Sequence, residues 1–237
     1  RVAMASRAAL QDFTGLVSAF ASARQRDMII AVDGPTASGK GTVAKALAEH
    51  YGLKRLDTGS LYRAVGLAVL DAGGNPADVQ AAVNAAEQLD LGAIDESRIR
   101  SSAAGLAASK VAIIPQVREV LRRAQMTFAA DPKGAVLDGR DIGTVICPNA
   151  EVKLFVTASL EERTRRRLAE LHARGEQISF EELQAQIAER DERDITRIDS
   201  PLYQAPDAHL LDTTALSIEA AAQAAYAIVD RTMGFRG

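Results

Sequence analysis

The chain has almost no cysteine. Cys147 is the single one among 237 residues, which excludes an internal disulfide and fits a reducing compartment, so a cytoplasmic location is expected. Histidine is nearly as scarce. His50, His172 and His209 are too scattered to suggest a metal cluster and read as ordinary surface or core residues. No apolar run approaches the roughly 18 residues that a membrane crossing needs. An excess of positive charge is missing too: the net charge is −3 and the pI about 5.7. Nothing in that balance attracts nucleic acid or an anionic membrane, so any basic site must be local. Lysine is the rarer cation, with 6 Lys against 22 Arg, and residues 160–200 hold eight arginines and no lysine.

What is present is enough for a large core, with 47% hydrophobic residues in one domain-sized chain. Residues 1–27 stand apart. They are rich in Ala, Ser and Arg, with only Asp12 and Asp27 acidic, a superficial likeness to a transit peptide. Met28 directly precedes the first strand pattern, so residues 1–27 are expected to be a non-core extension and residues 28–232 the domain.

The sequence turns on Ile29 to Thr42. A β-branched run, Ile29 to Val32, predicts a buried strand; Gly34, Pro35, Thr36, Ala37, Ser38 and Gly39 form a loop; and a helix starts near Lys40, followed by Gly41 and Thr42. Strand, glycine loop, lysine and helix in that order describe a phosphate-binding loop, in which backbone N–H groups and a helix N-terminus surround a polyphosphate and Lys40 reaches its outer groups. The strict motif places Ser or Thr directly after the lysine. Here Gly41 intervenes and the hydroxyl belongs to Thr42, so no direct metal ligand is assigned.

Further strands are predicted at 54–56, 135–137, 151–156 and 209–211, with helices between them. Gly52 stops the first helix, Asp57 to Ser60 caps the second, Pro115 opens another, and Ser159 caps a charged one. The stretch 77–112 is Ala-rich and mostly helical in propensity, weak around 91–102, with no hairpin signal. Alternating strands and helices predict an α/β fold with a doubly wound parallel sheet covered on both faces. Ligands in such sheets bind beyond the carboxyl ends of the strands, where the loops at Gly34, Asp57 and Asp138 should converge.

Several charged groups are expected at that edge. Arg63 lies one turn after Gly59 and suits either a second phosphate or a surface position. Arg140 stands between Asp138 and Asp141 at a strand end; Asp138 suits the orientation of a metal-bound water, Asp141 suits a base amino group, and a plain polar turn is the alternative. Arg163, Arg165 and Arg167 read as a solvated helix face, since Glu161 and Glu162 sit four residues before Arg165 and Arg166. Arg190, Asp194 and Arg197 share one helical face beside the Gly175 linker, which suits phosphate contacts and a surface ion pair equally.

Five stretches carry a resemblance. The loop ending Gly-Lys-Gly-Thr (39–42) is similar to that of nucleoside monophosphate kinases. Leu-Asp-Thr-Gly-Ser-Leu-Tyr-Arg (56–63), Val-Arg-Glu (117–119), Asp-Gly-Arg-Asp-Ile-Gly-Thr-Val (138–145) and Glu-Arg-Asp-Glu-Arg-Asp (189–194) resemble the bacterial cytidylate kinases, in order over 28–228. The resemblance implies a three-layer P-loop fold with a mobile lid at about 163–198 and a monophosphate-binding lobe at about 76–114. That lobe is shortened, because the β-rich insertion usual in the family has no counterpart in 91–112.

It also implies transfer of the ATP γ-phosphate to CMP or dCMP with Mg²⁺. Thr58, Tyr62 and Arg63 would line the acceptor site, and Arg63 and Arg140 would hold the CMP phosphate. Ser109, Arg118 and Asp141 would read the cytosine edge. Arg190, Asp194 and Arg197 would contact ribose and phosphates, and Arg166 falls at the lid arginine. Lys40, Arg166, Arg190 and Arg197 are the expected catalytic cations for in-line transfer without an enzyme nucleophile. A metabolite kinase would be expected to carry Ser or Thr directly after Lys40, and a GTPase-type switch an Asn-Lys-x-Asp motif; neither is present. ATP and CMP or dCMP are thus the expected partners, with no nucleic acid, no membrane, and a monomeric chain.

Overall fold

The computed structural model describes residues 28–235; the expectation for residues 1–27 lies outside the described residues. Five strands, β1 (Ile29–Asp33), β2 (Lys54–Asp57), β3 (Ala135–Gly139), β4 (Val152–Thr157) and β5 (His209–Asp212), occur where the sequence predicts them, to within a residue or two at each end. They form one sheet in the order β2-β3-β1-β4-β5, and every pairing is parallel. The helices are α1 (Lys40–Tyr51), α2 (Thr58–Asp71), α3 (Val79–Glu87), α4 (Ser102–Val111), α5 (Pro115–Ala129), α6 (Leu160–His172), α7 (Phe180–Thr196) and α8 (Ile218–Met233).

Burial on both faces explains why the central strands are apolar throughout. Ile30, Val32, Val136 and Leu154 pack with α1 and α8 on one side, and Ala31, Leu56 and Leu137 pack with α2 and α5 on the other. Local chemistry sets the helix ends. Gly52 closes α1 with φ 66, the Asp57 carboxylate accepts the Ser60 N–H at the start of α2, and Pro115 opens α5. Ser159, Ser179 and Ser217 cap α6, α7 and α8 by accepting an N–H three residues on.

Between α2 and α5 the lobe is helical. α3 and α4 are joined through two short 3₁₀ turns, Leu91–Ala93 and Arg98–Arg100, which take up the stretch of weak propensity. α4 lies so close to α2 that a Cβ on Gly66 would stand 2.7 Å from the Ala107 Cβ. On the far side of the sheet edge, α6 and α7 form a pair with a small core of their own, Leu171, Leu183 and Ile187. The turn joining them touches the lobe: Arg174 donates to the Arg100 carbonyl at 2.5 Å, and the Ser102 hydroxyl donates to Glu176.

Register brings the strand ends together. Asp33 is opposite Gly139, Asp57 opposite Asp138, and Thr157 opposite Asp212. The loops after β1, β2 and β3 therefore open at one edge, as the parallel topology requires.

Candidate active site

The loop from Gly34 to Gly39 leaves β1 with no room for side chains at its root. Gly34 has φ 154, and a Cβ there would lie 2.0 Å from the Val156 carbonyl oxygen. Ala37 is held at φ 59, an unfavourable region for a residue with a Cβ. Gly39, at φ 88, precedes α1 and no side chain caps that terminus, so the leading N–H groups are left for an anion. Lys40 Nζ donates to the Pro35 carbonyl at 3.2 Å. Burial, reinforced by Arg140, pushes its ammonium down to about 7 against the pull of Asp138 and Asp57. Ser38 Oγ is buried without a hydrogen-bond partner. Thr42, one position late for the strict motif, is exposed.

Arginines from four elements surround this loop. Arg140, after β3, donates from Nε to Asp194 Oδ2 (2.7 Å) and from Nη2 to Thr36 Oγ1 (2.8 Å), joining the loop to α7. Burial pushes the Asp194 carboxyl up, but Arg140, Arg190 and Arg197 outweigh it and hold the group below the usual range. Arg166 on α6 donates to Thr213 Oγ1 (2.9 Å) and the Thr213 carbonyl (2.7 Å). The Thr213 hydroxyl in turn donates to the Ser38 carbonyl at 2.8 Å, so Arg166 stands beside Gly39.

Arg190 differs from the others. It makes no hydrogen bond or ion pair among the described residues, and burial, with Arg140 next, drives its guanidinium down to about 10 against the pull of Asp194; Arg63 and Arg167 add to the repulsion. A half-buried cation facing other cations is a place for an anion. Among the described residues Arg63 itself pairs only with Asp57, at 3.5 Å.

The second half of the crevice is a paired network. Arg118, 4% exposed, donates to Asp141 Oδ2 at 2.6 Å and to Asp199 Oδ2 at 3.1 Å, and its guanidinium stands 5.9 Å from the Tyr62 ring centroid. Arg197 lies 3.8 Å from both Asp141 and Asp194, and its Nη2 is buried without a hydrogen bond. Thr58 is buried at the base, donating to the Asp138 carbonyl at 2.8 Å. Ser109 is separate from this network: its hydroxyl donates to Gly105 within α4 at 3.3 Å.

One expectation is corrected. Arg163 does not belong to a solvated face: it is 7% exposed and donates to Asp191 Oδ2 (2.6 Å), the Thr36 carbonyl (3.2 Å) and the Ala158 carbonyl (3.0 Å). It lies in the first turn of α6, where the helix is pressed against the phosphate loop. Arg165 faces solvent as expected, paired with Glu161, and Arg167 is partly exposed beside Glu170.

Three further residues were not legible as site residues. Arg55 on β2 donates to Asp138 Oδ1 at 2.8 Å; a cation inside a short strand was the available signal. Asp199 receives both Arg118 and Arg122, and Asp33 holds the turn after Asp141. Asp138 is buried, and burial, then Asp57, pushes its carboxyl up to about 6 against Arg55 and Lys40. Among the described residues no group of three or more His, Cys, Asp or Glu is placed to hold a metal ion, and no helix is long and apolar enough to cross a membrane.

A family model described as cytidylate kinase matches residues 30–231. The chain belongs to the cytidylate kinase family. Relatives named cytidylate kinase in Brucella suis biovar 1 (strain 1330) and Mesorhizobium japonicum are each 54% identical, over 205 and 201 residues, covering 86% and 85% of this chain and 94% and 93% of theirs. As a member of the cytidylate kinase family the chain is a phosphotransferase. The fold also matches the crystal structure of an uncharacterized protein from Eubacterium ventriosum ATCC 27560, with a TM-score of 0.52, 15% identity, and coverage of 88% of this chain and 99% of that one.

Proposed function

We propose that the protein transfers the γ-phosphate of ATP to CMP or dCMP, giving CDP or dCDP by direct in-line displacement. The carrying observation is the unpaired Arg190 among Lys40, Arg63 and Arg140, a cationic centre between the phosphate loop and the Arg118–Asp141 pair. ATP phosphates would lie on the loop, against Lys40, the α1 N-terminus and Arg166. The acceptor phosphate would lie against Arg63 and Arg140, with the base beside Tyr62, Arg118 and Asp141, and with Ser109 from α4. Arg190 and Arg197 would meet the transferring group as α6 and α7, a mobile lid at about 163–198, close over it.

The acceptor is already an anionic phosphate, so no strong general base is required; positioning and preorganised positive charge supply the rate. The hard oxygens of Asp138 and Asp57, paired across two strand ends beside Lys40, suit Mg²⁺ held mainly by nucleotide phosphates and by waters on these carboxylates. Mg²⁺ there would neutralise charge developing on the β- and γ-phosphate oxygens. The test is ADP formation from MgATP with CMP, dCMP, UMP, AMP, GMP and shikimate as acceptors. Turnover with CMP and dCMP is expected; preference for AMP, GMP or shikimate, or equal ATP splitting with no acceptor, would sink the reading.

A further inference from the structure

Asp33 ends β1 opposite Gly139, and no step of the phosphate chemistry uses it. It is buried, with Oδ1 accepting the Ile142 N–H and Oδ2 the Gly143 N–H, each at 2.8 Å. Those residues open a π-helical turn, Ile142–Ile146, that begins directly after Asp141. The turn also closes on Asp141 itself, whose carbonyl accepts the N–H groups of Val145 (2.9 Å) and Ile146 (3.1 Å). The loop bearing Arg140 and Asp141 is thus tied to the root of the phosphate loop by both oxygens of one carboxylate.

We infer that Asp33 is a positioning residue for base recognition: its two hydrogen bonds set the turn that presents Asp141 to Arg118 and to the cytosine edge. The inference rests on the CMP reading of the site. The close fit of the turn supports it, since a Cβ on Gly143 would stand 3.1 Å from Lys153 Cδ and 3.4 Å from Asp33 Oδ2. A carboxylate offers an acceptor to each N–H; an amide offers one oxygen and turns an NH₂ toward the other N–H, leaving it unsatisfied.

The groups facing Asp33 make this anchor sensitive to pH. Asp141 and Arg140 lie on the loop it holds, Cys147 ends the turn and senses its charge, and from β4 uncharged Phe155 stands opposite it while the Lys153 stem lies against Gly143, its ammonium turned away to Pro148 and Asp207. Burial pushes the Asp33 carboxyl up to about 6, against its two N–H bonds. The double anchor is therefore complete above that pH and is lost as pH falls through it.

The test compares wild type with Asp33→Asn in the full chain. KM for CMP and for ATP would be measured at pH 8, and cytidine binding by calorimetry from pH 8 to pH 5; cytidine is used because it has no phosphate to titrate. The expected result is a CMP KM raised about tenfold or more, an ATP KM within about twofold of wild type, and wild-type cytidine affinity falling below pH 6 while the variant stays weak throughout. An unchanged CMP KM, or equal rises for both nucleotides, would overturn the inference, as would reduced kcat alone. If Asp33→Asn does not fold, the wild-type titration decides: cytidine affinity unchanged down to pH 5 overturns it. Failure of wild type to phosphorylate CMP would instead overturn the functional reading, and this is seen before any variant is made.

Discussion

Arg190 is held in the crevice without a partner, which sets activity against stability. Replacing it by Met removes the repulsion from Arg140, Arg63 and Arg167 at the cost of its attraction to Asp194, together with the cation proposed to meet the transferring phosphate. Arg190→Met is expected to lose about 10³-fold in kcat while its melting temperature is unchanged or higher; a clear drop in melting temperature would mean that Arg190 serves the fold. Lys40 offers a second residue-level test. Its ammonium is depressed to about 7 in the free protein, and bound phosphates would draw it back toward its ordinary value. Above pH 7 the free side chain is largely neutral and the bound one charged, so ATP binding at pH 8 should take up a proton. Calorimetry in buffers of different ionisation heat would measure this, and Lys40→Met should abolish the uptake.

Among the elements, α6 and α7 are joined to each other and to the phosphate loop by one buried ion pair in addition to their small apolar core. Arg163 and Asp191, 2.6 Å apart, bind the two helices to each other, and Arg163 also holds the Thr36 carbonyl of the phosphate loop. Arg163→Met leaves the Asp191 charge buried alone, which is expected to cost about 3 kcal/mol and lower the melting temperature by about 6–12 °C. A change within a degree would show that the pair is dispensable. All five strands and the helix ends at Gly52, Asp57, Pro115 and Ser159 were legible in sequence because they rest on local chemistry: short runs bounded by turn and cap residues, Ser and Asp caps, Pro115 and Gly52. The phosphate loop was legible for the same reason. What escaped depends on tertiary partners. Arg163 reads like its neighbours Arg165 and Arg167 until Thr36 and Asp191 are brought to it, and Arg55 and Asp33 gain their roles from residues 83 and 109 positions away. The π-helical turn after Asp141 has no periodic signature; it exists because Asp33 accepts its first two N–H groups.

The molecule as a whole is weakly acidic, yet it concentrates Lys40, Arg140, Arg190 and Arg63 at one edge of the sheet, so its attraction for nucleotides is short-ranged and confined to the crevice. In the proposed reaction, closure of the α6–α7 pair over that crevice would keep water from the γ-phosphate. ATP hydrolysis with no acceptor should therefore proceed at a small fraction of the CMP-dependent rate, and hydrolysis at a comparable rate would show that water reaches the site. The sheet order has a different consequence, for how the protein is made. β1 is central, but its neighbours β3 and β4 follow it by roughly a hundred residues or more of chain. During synthesis the phosphate loop emerges before β3 and β4 and has no paired strand beside β1 until they arrive, so the nascent chain must wait, with apolar β1 unpaired, for roughly a hundred residues. A ribosome-bound chain with only residues up to Gly134 exposed should gain no protection from proteolysis by ATP, whereas one exposed beyond Asp212 should. The phosphate loop is thus translated roughly a hundred residues before the strands that complete its site.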